Sequence, residues 1–249
     1  MPRVFGGLLV LALVSESLAA QTLSEQVRVT RDGTVRLSFA ARPGVCGQGS
    51  GGIVIGHSSR EWQPDCGARL VRVALRINDH RVKSVRTYVG GRWLPDDDAV
   101  DLGAVSAGEA AAFFVGLAEG SAGHQLTGDP LLPSVLADSV TVWPSLVRVA
   151  RNTHVSRETR GRAVFWLGQA AGAAAGQALD SIALDDRGDR EVRKQAIFAL
   201  SQRSTDEGVP VLIRIARNNP DAELRRTALF WLGQSEDPRA VDLFEEILN

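Results

Sequence analysis

The sequence lacks a charge excess of either sign. Its 28 lysine and arginine residues stand against 29 aspartate and glutamate residues, which gives a net charge of −1. General affinity for nucleic acid or for an anionic membrane surface needs a basic balance, so neither partner is predicted. Hydrophobic residues make up 44% and charged residues 23% of the chain, as is typical of a globular protein.

The sequence also lacks a hydrophobic run of the roughly 20 residues that a membrane-spanning helix requires. An apolar run over residues 4–14 follows Arg3 and precedes the small residues of Ser17-Leu18-Ala19-Ala20. A basic start, a short apolar run and small residues at its end are the layout of a secretory signal peptide. We expect residues 1–20 to be such a signal, cleaved after Ala19 or Ala20. The mature chain is then exported, periplasmic or extracellular, with no membrane span.

Cysteine is scarce, since Cys46 and Cys66 are the only two. In an exported chain this pair predicts a disulfide, which would stabilise the fold by about 3 kcal/mol. The alternative is a reactive or metal-binding thiol pair. Metal sites use closer spacing and additional Cys or His ligands, which are missing here, so the disulfide is preferred.

Recognisable catalytic and metal-binding motifs are missing as well. The sequence has no Gly-x-Ser-x-Gly elbow, His-Glu-x-x-His helix or Cys-x-x-Cys pair, and its four histidines are scattered without metal-ligand spacing. The acidic segment at residues 96–101 fails the calcium-loop pattern, because Asp101 occupies the required glycine position. We therefore predict no metal, no cofactor and no catalytic residue, and a non-enzymatic role is favoured over an enzymatic one.

Residues 21–100 show the alternation of a β domain. Val27 and Val29 alternate with polar residues before the turn signal Asp32-Gly33, and alternation resumes over residues 35–39, 70–77 and 82–89. This pattern predicts a small antiparallel β domain that carries the disulfide. The glycine-rich segment at residues 47–52 precedes an apolar strand-like run rather than a helix, so a flexible loop is preferred over a phosphate-binding loop.

The period changes beyond residue 100, and residues 101–249 are predicted to be helical. Ser106 and Glu109 have the spacing of a capping box at the start of a helix. From residue 140 onward the chain reads as one helix after another. The predicted fold class is therefore α+β, with an N-terminal antiparallel β domain followed by a helical domain.

The helical part repeats itself. Segments 162–169, 195–202 and 227–234 can be superposed with Ala163, Ala196 and Ala228 in equivalent positions, at spacings of 33 and 32 residues. Self-similarity at this period is the mark of a solenoid of stacked helical hairpins.

The segment Glu191-Val-Arg-Lys-Gln-Ala-Ile-Phe-Ala-Leu200 resembles the signature of HEAT-like repeats of the short type found in bilin-lyase-like proteins. The resemblance covers residues 140–249 and implies a HEAT-like solenoid. The family includes scaffolds, lyases and one hydroxylase that holds iron through His-Glu pairs. No His-Glu pair occurs here, so that iron chemistry is not carried over.

One face of each second helix carries a conspicuous set of side chains. An aromatic and amide ladder is formed by Phe165, Phe198, Phe230, Gln169, Gln202 and Gln234, and the cations Lys194 and Arg226 are predicted to point away from the core. Packing between neighbouring repeats is the preferred interpretation of the ladder. Docking of a peptide or a partner helix is the alternative, and it makes these eight residues the candidate partner-binding set.

The sequence therefore favours an exported HEAT-like repeat protein that acts as a protein-interaction or scaffold module in the cell envelope. The alternative is an enzyme or small-ligand binder whose site lies in the cleft between the β domain and the helical stack. Candidate residues for that cleft are His80, Arg92 and Trp93. The sequence predicts neither the partner nor the oligomeric state.

Overall fold

A computed structural model describes residues 22–49, 62–120, 126–170 and 172–248. The strands within these ranges are β1 (Gly33–Ala40), β2 (Gly47–Gly49), β3 (Trp62–Gln63), β4 (Leu70–Asn78), β5 (Arg81–Val89), β6 (Arg92–Trp93) and β7 (Ala99–Ala104). The helices are α1 (Leu23–Val29), α2 (Ala107–Glu119), α3 (Leu132–Leu136), α4 (Trp143–Arg151), α5 (Arg157–Gly168), α6 (Ala173–Ala183), α7 (Arg190–Ser201), α8 (Thr205–Asn218), α9 (Ala222–Gly233) and α10 (Pro238–Leu248). The strands are segregated from α2–α10, as the predicted α+β class requires. The predicted signal peptide lies outside the described residues.

The main sheet has the strand order β2-β5-β4-β1-β7. Its β1–β4, β4–β5 and β2–β5 pairs are antiparallel, but β7 runs parallel to β1. The prediction of a purely antiparallel domain is therefore wrong, and the sheet is mixed. The chain reaches the free edge of β1 by a long crossover through β4 and β5, which allows the parallel direction. Most β7 side chains are exposed, so the strand lacks the apolar alternation that would have revealed it.

The first predicted strand is a helix instead. Thr22 forms a capping box at the start of α1, because its hydroxyl accepts the N–H of Glu25 and the Glu25 carboxylate accepts the N–H of Thr22. Leu23 and Val27, four residues apart, are buried, whereas Val29 is 71% exposed. The apolar period is therefore helical, and the alternation of Val27 with Val29 was misleading.

Strands β4 and β5 form a hairpin that turns at residues 78–80. Asp79 and His80 both have positive φ, at 50° and 57°, as tight hairpin turns require. The hairpin predicted at Asp32-Gly33 is absent, because α1 precedes that turn. The Asp32 carboxylate instead accepts the N–H of Asp79 at 2.9 Å, which joins the two turns.

The predicted disulfide between Cys46 and Cys66 is confirmed, with 5.6 Å between the Cα atoms. Part of the glycine-rich segment that was expected to be a loop is a strand, because residues 47–49 form β2 and pair with the end of β5. Residues 50–61 lie outside the described ranges.

One face of the sheet packs against α2. Val35, Leu37 and Phe39 of β1 are buried on that face, and the Phe39 ring lies 6.4 Å from the ring of Phe114 in α2. The buried core continues from this layer into the helices that follow. The sequence places the domain boundary at residue 100, which lies within strand β7. The division of the chain into two domains stays a prediction.

The C-terminal helices form a stack of contacting pairs. Helices α4, α6 and α8 contact α5, α7 and α9 respectively, and α5, α7 and α9 contact one another in that order. In α7, Val192, Ala196, Ala199 and Leu200 are all buried and form its core-facing side. This arrangement places the second helix of each pair side by side along one surface.

Candidate protein-binding surface

The three phenylalanines of the repeat lie in register on α5, α7 and α9. Each helix starts at an N-cap residue whose side chain accepts a backbone N–H, and each phenylalanine follows that residue by nine positions. The rings therefore occupy the same turn of three neighbouring helices. Phe165, Phe198 and Phe230 are 40%, 39% and 57% exposed, so all three present ring surface to solvent. We call this row the phenylalanine ladder.

The ladder rings also make aromatic contacts. The Phe198 ring lies 5.0 Å from the ring of Trp231 in the next helix of the row. Phe165 and Phe230 make ring contacts with Trp166 and Trp231, their own neighbours in sequence. Only the middle rung therefore joins two repeats by an aromatic contact within the described residues.

The middle repeat carries a small residue where its neighbours carry tryptophan. Ala199 is equivalent to Trp166 and Trp231, and a Cβ placed on Gly168 of α5 would approach the Ala199 Cβ to 2.9 Å. Helices α5 and α7 are thus too close there for an indole. In α5 the equivalent residue, Trp166, points into the protein interior. Its Nε1–H donates to the buried carboxylate of Asp129 at 2.7 Å.

A hollow of about 370 Å³ opens between the first two rungs of the ladder. Its lining consists of Glu158, Gly161, Arg162, Phe165, Gln195 and Phe198. Two aromatic rings, an amide and one charge of each sign suit an apolar side chain flanked by polar backbone groups. Sequence reasoning identified the two phenylalanines but missed the rest of the lining. Arg162 and Gln195 lie three residues before Phe165 and Phe198, a spacing that places them on the same helix face.

The ladder glutamines are the C-cap residues of the three helices, and all three are exposed. The packing interpretation expects them to hydrogen-bond across hairpins. Within the described part of the chain, the side chain of Gln202 donates to Ser201 of its own helix at 3.2 Å, and no bond joins Gln169, Gln202 or Gln234 to another hairpin. Gln202 and Gln234 line a second hollow of about 360 Å³ beside Trp231.

The two candidate cations differ in their environment. Lys194 donates to the carboxylate of Glu223 in the next repeat and lies 3.3 Å from that of Glu191. The hydrogen bond to Glu223 raises the pKa of Lys194, and the same bond lowers the pKa of Glu223. Arg226 is exposed and forms no ion pair with the described residues. The surface beside the ladder is therefore nearly neutral around Lys194 and basic at Arg226.

Ion pairs at the helix starts fix the spacing of the ladder. Arg157, the first residue of α5, pairs with Asp189 at the N-cap of α7 at 3.1 Å, and Arg190 of α7 pairs in the same way with Asp221 at the N-cap of α9 at 2.5 Å. Burial alone would raise the pKa of Asp189, but hydrogen bonds from Arg160, Val192 and Arg157 lower it. Each repeat thus positions the start of the next.

The residues proposed for an inter-domain site separate into two places. His80 lines a cleft of about 900 Å³ bounded by α1, α2 and the β4–β5 turn, which we call the α1–α2 cleft. Trp93 and Arg92 lie in β6 and pair with Trp62 and Gln63 of β3. The Arg92 guanidinium donates to the side-chain oxygen Oε1 of Gln63 at 2.6 Å and 2.9 Å, so the structure does not bring Arg92 and Trp93 to the cleft.

The acidic segment at residues 96–101, which runs into β7, serves the fold. The Asp96 carboxylate pairs with the buried guanidinium of Arg36 at 3.2 Å, and the Asp101 carboxylate accepts the N–H of Gly103 at 2.8 Å. Over the described ranges, no group of three or more His, Cys, Asp or Glu side chains is placed to hold a metal ion.

Residues 181–249 match the family model for HEAT repeats. The match covers α7–α10 and only the last three residues of α6, so this part of the stack is similar to HEAT repeats, which are generally protein-interaction modules. The α4–α5 pair lies before the matched residues. No curated protein matches the chain. Among the described helices, none is both long enough and apolar enough to cross a membrane.

Proposed function

We propose that this protein is an exported, non-enzymatic interaction module that binds a protein partner through the phenylalanine ladder and acts as a scaffold in the cell envelope. Its HEAT repeats form a short solenoid of the bilin-lyase type, joined to a β domain braced by the disulfide. The observation that carries the proposal is the exposure of Phe165, Phe198 and Phe230 in register on neighbouring helices. Apolar patches of this kind on a rigid repeat surface favour binding, because few groups must be ordered when the partner arrives.

The partner is proposed to insert an apolar side chain into the hollow between Phe165 and Phe198. The rings would bury its apolar surface, and the ladder glutamines would hydrogen-bond its backbone. Aromatic residues at the centre of an interface often carry much of its binding energy. Arg226 adds a positive charge at the other end of the ladder, which favours a partner segment with an acidic residue there.

Export is part of the same proposal, with residues 1–20 acting as a signal peptide that is removed after Ala19 or Ala20. The disulfide supports it, because such bonds persist in oxidising compartments. N-terminal sequencing of the protein recovered from its natural source would test the proposal. A mature chain that starts at Ala20 or Gln21 supports export, and a retained Met1 contradicts it.

Affinity capture from envelope extract tests the ladder. We propose comparing the wild-type chain with a double variant, Phe165→Ser with Phe230→Ser, because neither ring makes an aromatic contact with another repeat in the part of the chain that the structure describes. A matched control is Val241→Ser, which removes a comparably exposed apolar side chain from α10. The ladder variant should keep its melting temperature within a few degrees and lose the captured partner, while the control retains it. Equal capture by all three chains would refute the ladder as the binding surface.

A second candidate function is binding of a small ligand in the α1–α2 cleft. The observation that favours it is the volume of the cleft, about 900 Å³, which lies within the range of about 300–1,000 Å³ that ligand pockets occupy. His80, which the sequence singled out for such a site, lies at its edge.

A further inference from the structure

The α1–α2 cleft has an apolar interior. Its walls are formed by Val27 of α1, Val82 beside the β4–β5 turn, Phe113 and Leu117 of α2, and Leu126. Phe113, Leu117, Val82 and Leu126 are only partly buried, so each turns apolar surface toward the open cleft. Exposed apolar surface of this extent in a concave site favours an apolar occupant.

The cleft follows α2 along its length. Its lining residues on α2 extend from Glu109 to Gly120, a distance of about 16 Å along the helix axis. The surface of α2 is recessed along this line, because Ala112, Gly116 and Gly120 have little or no side chain. A Cβ placed on Gly116 would meet no atom within 4 Å. A site of this length, with room above the small residues of α2, suits a single extended chain.

Positively and negatively charged side chains lie at opposite ends of the cleft rim. Arg28 in the last turn of α1 and Arg81 at the start of β5 lie at one end, where the His80 ring bonds to the backbone oxygen of Arg28 at 3.1 Å. Arg28 forms no ion pair with any described residue. At the other end of α1, about 8 Å away along that helix, the Glu109 carboxylate accepts the N–H of Leu23 at 2.8 Å. An anionic head group would be attracted to the arginine end and repelled from the Glu109 end.

We propose that the α1–α2 cleft binds an amphipathic carboxylate with one acyl chain, that is, a fatty acid. The carboxylate lies at Arg28 and Arg81, and the chain lies along Phe113, Gly116 and Leu117. This assignment rests on the second candidate function, namely that the cleft holds a ligand, and adds the class of that ligand. Charge-assisted hydrogen bonds to guanidinium groups orient the head, and the apolar walls remove the chain from water.

The test uses the full chain and a dansyl-labelled undecanoic acid as a fluorescent probe, displaced by dodecanoate, dodecyl phosphate or dodecanol. Dodecanoate should displace the probe at a lower concentration than dodecanol does. Arg28→Gln should weaken the binding of dodecanoate about fivefold, which is the effect expected from loss of an exposed charge pair. The binding of dodecanol should be unchanged.

Gly116→Leu should place a side chain in the cleft and weaken the binding of the probe by about tenfold or more, because the leucine occupies the space of the acyl chain. Leucine also favours the helix over glycine, so the variant should melt at or above the wild-type temperature. The matched control is Gly108→Leu in the same helix, which lies outside the cleft and should bind the probe like wild type.

The outcomes distinguish failure of the ligand site itself from failure of the fatty-acid assignment. If dodecanol competes as well as dodecanoate and Gly116→Leu abolishes both, the cleft is a ligand site but the carboxylate assignment is overturned. If dodecyl phosphate competes far better than dodecanoate, the head group is a phosphate and the fatty-acid assignment is likewise overturned. If the probe does not bind, or if Gly116→Leu binds it as well as wild type, both the ligand site and its class are overturned.

Discussion

The ring of Phe198 lies 5.0 Å from the ring of Trp231, so one rung of the exposed ladder is also a contact between two repeats. At this position of the phenylalanine ladder, packing between repeats and exposure for docking therefore occur together. Phe198 contributes to packing on its Trp231 side and presents the rest of its ring to solvent. Among the described residues, Phe165 and Phe230 have no such contact with another repeat, so they carry the docking proposal more directly.

We predict that Phe198 and Trp231 are energetically coupled. Phe198→Ala and Trp231→Ala should each destabilise the stack, and the double variant should lose less than both losses together, by about 0.5–1.5 kcal/mol. Urea unfolding of the four proteins measures this coupling energy. Additive losses would mean that the two rings touch without stabilising each other.

The repeat register was predictable because the helix starts repeat along with the aromatic residues. The spacing of 33 and 32 residues fixed the equivalence of Ala163, Ala196 and Ala228 and placed their neighbours on common faces. The hollow between Phe165 and Phe198 was not predictable. Its lining comes from both α5 and α7, and no local pattern reveals how closely these two helices approach each other.

The N-terminal half was less predictable for a related reason. Val27 and Val29 fit a strand period, yet Leu23 and Val27 fit a helical one equally well, and only the capping box at Thr22 and Glu25 separates the two. The parallel strand β7 has no apolar face to mark it. Tertiary context decided both elements.

Asp129 should make stability depend on pH. Burial raises its pKa, against the opposing hydrogen bonds from Trp166 and Leu131. The unfolded chain ionises this group at about pH 4. Between that pH and its raised pKa the folded state binds more protons than the unfolded state, so the free energy of unfolding falls as pH rises through this window. Urea unfolding across the window should show the free energy of unfolding of wild type falling with pH relative to that of Asp129→Asn, because the other carboxyl groups contribute equally to both proteins, and parallel profiles would contradict it.

The disulfide should stabilise the N-terminal half. Replacing both Cys46 and Cys66 by serine should lower the free energy of unfolding by about 3 kcal/mol, because the unfolded chain regains the freedom of a closed loop. Thermal unfolding of the serine variant beside the wild type measures the loss. Titration of the unreduced, denatured wild type should find no free thiol, and two reactive thiols would contradict the bond.

Glu109 should hold α1 against α2. Its carboxylate accepts the N–H of Leu23 at 2.8 Å, a bond between residues 86 positions apart. Glu109→Ala should remove about 1–2 kcal/mol and expose the amides of α1 to faster hydrogen exchange. Glu109→Gln keeps an acceptor oxygen and serves as the control. Unchanged exchange in the alanine variant would show that Leu23 and Val27 hold the helix by apolar packing alone.

The phenylalanine ladder as a protein-binding surface is the central claim, and site-directed photocrosslinking in the cell tests it most directly. A photoreactive benzoylphenylalanine would replace Phe165 in one chain and, as a matched exposed position, Val241 in another. The account predicts a discrete crosslinked protein from position 165 and none of that mass from position 241. The same crosslinked species from both positions, or none from position 165, would contradict it.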